Sequence, residues 1–218
     1  MGIKIIYEDK DLLVADKPAG LETVEVLARL GKKVFNVHRL DKDTSGINLF
    51  AKNQEALIFF QKQFINREIE KRYIALVAGR VKDNKGMIDT LIGRALKEKK
   101  KQKAYLEIEP RAEGKRRAVT EYRVIKRFED YTLLEVMPKT GRKHQIRCHM
   151  AYLGHPIVGD KMYGFKGQPC PEGLLRQFLH ASYIKIKLPS GEYKEFNSEL
   201  PEDLEKCLPK KKYLPKNN

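Results

Sequence analysis

Two short apolar runs open the chain: Ile3 to Tyr7 and Leu12 to Asp16 read as strands on either side of an acidic turn. Lys17-Pro18-Ala19-Gly20 then breaks the pattern, because proline cannot donate to a ladder and glycine permits unusual backbone angles. Residues 24–30 fit a short helix, and Val34 to Val37 and Ile47 to Ala51 are two further apolar runs. Between those runs lies HRLDKDTSG, polar except for Leu40, in the kind of loop where catalytic groups commonly sit. Asn53 is a good N-cap, and Ala56, Leu57, Phe60 and Phe64 follow at helical spacing, which predicts an amphipathic helix over 54–67. Tyr73 to Ala78 alternates and ends at Gly79, the pattern of a strand.

Residues 97–117 differ in kind: KEKKKQK and EGKRR are dense in cations and poor in large apolar residues apart from Tyr105 to Ile108, which predicts a long hairpin or basic arm projecting from the body. Thr120 to Phe128 and Tyr131 to Met137 predict a hairpin turning at Glu129-Asp130. A helix is expected from Thr140-Gly141 to Leu153, with Ile146, Met150 and Leu153 on its buried stripe and Gly154 and Pro156 ending it. Tyr183 to Leu188 is a late strand closed by Pro-Ser-Gly, and residues 206–218 read as a loose, lysine-rich tail. Hairpins mixed with a few helices, without a regular strand–helix beat, predict an α+β fold around a mixed, largely antiparallel sheet over residues 1–205.

A chain of 218 residues can bury a real core. It has no apolar run of the roughly 18–20 residues that a membrane span needs. The opening MGIKIIYEDK is not a signal peptide, and Ile6 stands where a myristoylation signal wants Ser or Thr. Cys148, Cys170 and Cys207 are odd in number and far apart, which argues against disulfides or a zinc site and fits a reducing cytoplasm. The 44 Lys and Arg against 29 Asp and Glu give a net charge of +15, a long-range field that favours a polyanion. Charge alone favours nucleic acid over a membrane surface or an acidic protein, and does not separate DNA from RNA. No sustained heptad pattern appears, so a monomer is expected.

Two segments concentrate chemistry. In His38-Arg39-Leu40-Asp41-Lys42-Asp43-Thr44-Ser45-Gly46, Asp41 sits near a strand end with cations on both sides. Arg39, two residues earlier, shares its face on an extended backbone. An arginine there can hold phosphates or fill the hole left when a base leaves a helix. On composition alone, a surface ion pair in a hairpin loop is the commoner reading. In Lys139-Thr140-Gly141-Arg142-Lys143-His144-Gln145-Ile146-Arg147, four cations gather where a helix is expected to begin. Arg147 lies at the margin of the buried stripe and there wants a carboxylate partner. Tyr73 suits strand packing, or stacking on an extruded base. The histidines make no metal case, since His144 and His149 are five apart and no H-E-x-x-H occurs. No Walker, dinucleotide or G-x-S-x-G spacing is present.

HRLDKDTSG resembles the signature loop of RluA-type pseudouridine synthases. The likeness continues in YEDKDLLVADKPAGL, in KRYIALVAG, in TGRKHQIRCHMAYLGHPIVGDKMYG and in LHA at 179–181, covering most of residues 5–183 in the family's order. The resemblance implies a bent mixed sheet with a basic cleft across its middle. It implies an isomerase that converts uridines in structured ribosomal or transfer RNA, with no cofactor and no metal. It makes Asp41 the essential carboxylate, Arg147 its partner, Tyr73 the aromatic against the flipped base and Arg39 the residue that enters the stack. His38, Arg142, Lys143, His144 and Gln145 are expected on the RNA side. After KPAGL the family's longer loop is shortened here, and a form without the N-terminal S4 module of many relatives is expected. The rival reading is a non-catalytic RNA-binding factor, for example in ribosome assembly. The resemblance leaves open whether Asp41 attacks C1′ or removes a proton from C2′.

Overall fold

The apolar runs pair into one large sheet. The structure is a computed structural model that describes residues 2–95, 98, 100–109 and 111–209. Its strands are β1 (Lys4–Glu8), β2 (Leu12–Lys17), β3 (Phe35–Asn36), β4 (Ser45–Ala51), β5 (Glu70–Ala78), β6 (Lys85–Arg94), β7 (Gln102–Tyr105), β8 (Arg116–Arg127), β9 (Tyr131–Pro138), β10 (Leu179–Lys187) and β11 (Tyr193–Asn197). Its helices are α1 (Thr23–Leu30), α2 (Gln54–Asn66), α3 (Gln145–Tyr152) and α4 (Glu202–Glu205). The strands lie in the order β1-β2-β4-β10-β5-β9-β8-β6-β7, with β3 on β4 and β11 on β10. Every pairing is antiparallel except β4 with β10. This is the α+β mixed sheet that the sequence predicts.

Period-two alternation explains why β2 and β4 read as unbroken apolar runs: both faces are covered. Leu12, Val14 and Leu49 pack with Ile184 and with Phe60 of α2 on one face. Leu13, Ala15 and Phe50 pack with Val26 of α1 on the other. Phe60 and Val26 are fully buried, each worth about 1.5–3 kcal/mol of transfer free energy. A third cluster joins β5, β8 and β9 to α3 through Leu76, Tyr122, Leu134, Val136 and Met150. The Asn53 side chain accepts from Ala56 N at 2.8 Å, so the predicted cap of α2 is in place.

The one parallel pair sets the position of the site. Gly46 of β4 lies opposite Ala181 of β10. Its φ is +112°, and a Cβ there would collide with the Ala181 backbone carbonyl. Only glycine fits. The last residue of HRLDKDTSG is thus locked onto LHA.

One strand is new, and three expectations are corrected. Residues 85–94 form β6, which the sequence hid: Gly86, Asp89 and Gly93 interrupt the apolar signal, although Ile88, Thr90 and Ile92 alternate inward. The stretch expected to project as a basic arm is partly sheet. Its β7 pairs with β6 and buries Ala104 and Tyr105, while Ile108 stays 89% exposed. The helix expected from Thr140 begins only at Gln145, because His144 takes a left-handed backbone (φ 54°) and 140–144 turn sharply before it. The segment read as a loose tail from residue 206 starts inside the core: Cys207 is buried and Leu208 packs on the cluster around α3. Residues 210–218 of that tail, and 96, 97, 99 and 110 of the arm, lie outside the described residues.

Candidate active site

The loop between β3 and β4 is pinned from both sides, which aims Asp41. Its turn closes through Thr44 N–H to Asp41 O at 3.1 Å. On one side Gly20 N–H donates to Lys42 O at 3.0 Å, and the Lys17 ammonium donates to the carbonyls of Lys42 (2.9 Å), Leu21 (2.8 Å) and Pro18 (3.0 Å). Lys17 is fully buried, and burial pushes its pKa down to about 8 against the opposing pull of Asp43. On the other side Arg176 donates to Asp43 O at 3.1 Å, and Gln177 donates to the Thr44 hydroxyl at 3.2 Å. Neither Lys17 nor Arg176 was flagged by the sequence, since nothing local shows that KPAG folds beneath a loop more than twenty residues away.

Asp41 Oδ2 accepts from Arg147 Nη1 at 3.1 Å across 106 residues of chain. The arginine is held from behind by Asp160, which takes Nε at 2.7 Å and Nη2 at 2.9 Å in a two-pronged pair. Asp160 Oδ1 also accepts from Met162 N and Tyr163 N. The carboxylate of Asp160 is fully buried, whereas that of Asp41 keeps 23% of its surface. Burial alone would lower the Arg147 pKa. The hydrogen bonds and charge of Asp160, with the charge of Asp41, raise it instead, so the guanidinium is permanently ionised. Its other face lies over the Tyr163 ring, 5.2 Å from the centroid. Arg147 therefore has two carboxylates where one was expected. Asp160 was legible only as the acid of GDKMYG, with no local sign of its partner.

Asp41 opens into a cavity of about 610 Å³, within the size range of small-molecule sites. Its walls carry Arg39, Arg67, Lys71, Arg116, Lys139, Arg142, Lys143 and Arg147, and among the described residues Asp41 is their one carboxylate. The concentration of charge is felt locally: burial, then Arg116 and Arg67, push the Arg142 pKa down. Tyr73 faces the same space from β5, and burial, reinforced by the charge of Asp41, pushes its phenol above the ordinary range. Lys71, two residues earlier on the same strand face, lies 5.7 Å from the Phe64 ring centroid, and burial lowers its pKa to about 8.

All nine residues singled out in the sequence line this one cavity. They do not line it in the same way. Arg39 and Lys143 are exposed, and Arg142 is half-buried with its Nε on Arg117 O. His38 and Gln145 were expected on the RNA side, but His38 Nε2 and both amide atoms of Gln145 are committed to the frame. His38 Nε2 accepts from Leu49 N–H, its ring stacks on Phe64 at 4.8 Å, and burial, aided by Lys71, lowers its pKa to about 3. Gln145 Oε1 takes Thr140 OH and Arg142 N–H, while its amide donates to Val119 O and Thr120 Oγ1. An Ala at 145 would deprive four groups across the turn and β8 of a hydrogen bond each, which makes Gln145 a scaffold residue.

Comparison with known proteins agrees with this scaffold. Residues 11–152 match the family model described as RNA pseudouridylate synthase. The chain is 36% identical over 229 residues to an uncharacterized RNA pseudouridine synthase of Bacillus subtilis, covering 95% of this chain and 72% of that protein. It is 35% identical to the ribosomal large subunit pseudouridine synthase C of Vibrio parahaemolyticus, covering 94% of this chain and 68% of that one. The structure superposes on human RNA pseudouridylate synthase domain containing 1 with a TM-score of 0.81 at 27% identity, over 94% of this chain and 87% of the other. A match of this extent, in sequence and in fold, places the chain in the RNA pseudouridylate synthase family, the enzymes that isomerise uridine in RNA to pseudouridine.

Proposed function

We propose that Asp41 is the carboxylate that opens the glycosidic bond of a uridine in structured RNA, with Arg147 holding it in place. The contact between these two side chains, at the floor of a cavity rimmed by cations, carries the reading. A target uridine must first leave its stack, which costs a few kcal/mol and favours loops and bulges. Arg39, exposed at the mouth, fills the space it leaves, and Arg142 and Lys143 hold flanking phosphates. Tyr73 packs against the extruded base as a neutral phenol. The carboxylate then either adds to C1′ or takes a C2′ proton to give a glycal. Both routes break N1–C1′ and turn the ring; C5–C1′ then forms as the Asp41–C1′ bond breaks, or as the glycal takes its proton back at C2′, after which C5 releases its proton and N1 gains one. No electrons leave or enter, so the isomerisation calls for no redox cofactor.

The name of the Vibrio relative supports large-subunit ribosomal RNA as the target class. No helix among the described residues is long and apolar enough to cross a membrane; Cys148, Cys170 and Cys207 are free thiols, which suits work in a reducing cytoplasm. Carbodiimide mapping of ribosomal and transfer RNA tests the assignment, using cells with the gene, without it, and with Asp41→Asn. A large-subunit site lost on deletion and not restored by Asp41→Asn is the expected result. Loss confined to transfer RNA overturns the target class, and restoration by Asp41→Asn overturns the role of Asp41.

A further inference from the structure

His144 stands closer to the chemistry than an RNA-facing residue needs to. Its Nε2 lies 3.8 Å from Asp41 Oδ1, on the carboxylate oxygen that Arg147 does not hold. Its Nδ1 is 3.2 Å from the Tyr163 hydroxyl, and the two rings meet edge to face at 5.8 Å. The Tyr163 oxygen accepts the Gln102 N–H at 2.7 Å, which leaves its single hydrogen free to be donated to His144 Nδ1. An imidazole that accepts at Nδ1 carries its proton on Nε2. That N–H then faces the cavity with no partner at hydrogen-bond distance among the described residues. The ring reaches this place only because residue 144 adopts φ 54°, a backbone that costs a bulky side chain free energy and that gathers at functional sites.

We propose that His144 is a further catalytic residue, a neutral imidazole locked by Tyr163 as its Nε2–H tautomer, that donates to a uracil carbonyl oxygen as the N1–C1′ bond breaks. Heterolysis of that bond leaves negative charge on the ring, shared between N1 and the carbonyl oxygens. A fixed donor aimed where charge develops stabilises it without reorganisation. Burial is the largest influence on the imidazole and lowers its pKa; Arg147 and Lys143 push the same way, against Asp41 and Asp160. A neutral ring is therefore what the cavity holds near pH 7. The inference rests on the role proposed for Asp41.

Two variants separate donor from scaffold. Asn tolerates the left-handed backbone and places its amide where Nδ1 was, so His144→Asn keeps the Tyr163 contact and removes the Nε2 donor. Gln places an amide nitrogen near the Nε2 position. In single-turnover tritium release from 5-tritiated uridine RNA, His144→Asn is expected to lose about 10²-fold in maximum rate with RNA affinity kept within about threefold, and His144→Gln to recover roughly tenfold. Long-range proton–nitrogen spectra of 15N-histidine-labelled protein are expected to show protonated Nε2 and bare Nδ1. A proton on Nδ1, or a wild-type rate in His144→Asn beside an inactive Asp41→Asn, overturns the donor. An active Asp41→Asn overturns the reading beneath it.

Discussion

Replacing Arg147 by methionine separates what the guanidinium does for the fold from what it does for Asp41. The side chain is 9% exposed and lies between Asp41 and a fully buried Asp160. Arg147→Met removes both charged hydrogen bonds to Asp160 and leaves that carboxylate with only the Met162 and Tyr163 N–H groups. Breaking one side of a buried ion pair costs about 3–5 kcal/mol, because the other charge is stranded. Asp41 keeps access to water and adds little to that cost. The double variant Arg147→Met with Asp160→Asn removes the stranded charge and is expected to recover about 2 kcal/mol or more of the loss. Activity should not follow. With no cation on Oδ2 the Asp41 carboxylate is neither oriented nor stabilised, so the maximum single-turnover rate should stay at least about 10²-fold below wild type in both variants. Urea unfolding gives the stabilities and tritium release gives the rates. Recovery of rate together with stability in the double variant would refute the reasoning, since Arg147 would then serve the fold alone.

Lys17→Met should lower the rate while sparing RNA affinity, because the ammonium that ties the Lys42 carbonyl of the Asp41 loop to those of Pro18 and Leu21 is lost. Its folded pKa, about 8, lies below the ordinary 10.5, so the unfolded chain binds more protons between those values. The stability of wild type relative to Lys17→Met should therefore rise with pH across that window, by about 1 kcal/mol per unit, and urea titrations at pH 8 and pH 10 that show a fall contradict this. Gly46→Ala drives a Cβ into Ala181 at φ +112° and should destabilise by about 3 kcal/mol or more; a urea midpoint within error of wild type would remove the constraint. Lys143→Ala should weaken RNA binding evenly across sequences and reduce the salt slope by about 0.7–0.9, as one lost phosphate contact requires. An unchanged slope places Lys143 off the RNA.

The readable parts of the fold were those whose signal is local. The cap at Asn53 and the spacing through Phe64 define α2 within its own residues. The unbroken apolar runs of β2 and β4 reflect cover on both faces. β6 was missed because its inward residues include Thr90 and its interior carries two glycines. In the basic stretch, lysine-rich neighbours hid a four-residue edge strand that buries Tyr105. The start of α3 was placed early because the turn at 140–144 carries polar residues of the kind that cap helices, while the left-handed His144 is a tertiary choice. In the site, Arg147 was readable as a cation in need of an acid, and Asp41 as an acid among cations. Which acids, and what lies beneath them, depended on contacts over long stretches of chain: Asp160 behind the arginine, Tyr163 behind His144, Lys17 beneath the loop. His38 and Gln145 look like RNA ligands in a string of polar residues, and only folding shows their atoms already taken.

The central claim is that one carboxylate, fixed by one guanidinium, performs the bond exchange. Purified wild type and Asp41→Asn, incubated in excess over 5-tritiated uridine RNA with binding checked at matched salt, give the direct comparison. The account predicts equal binding, equal unfolding midpoints and tritium release by wild type alone. Appreciable release by Asp41→Asn contradicts it.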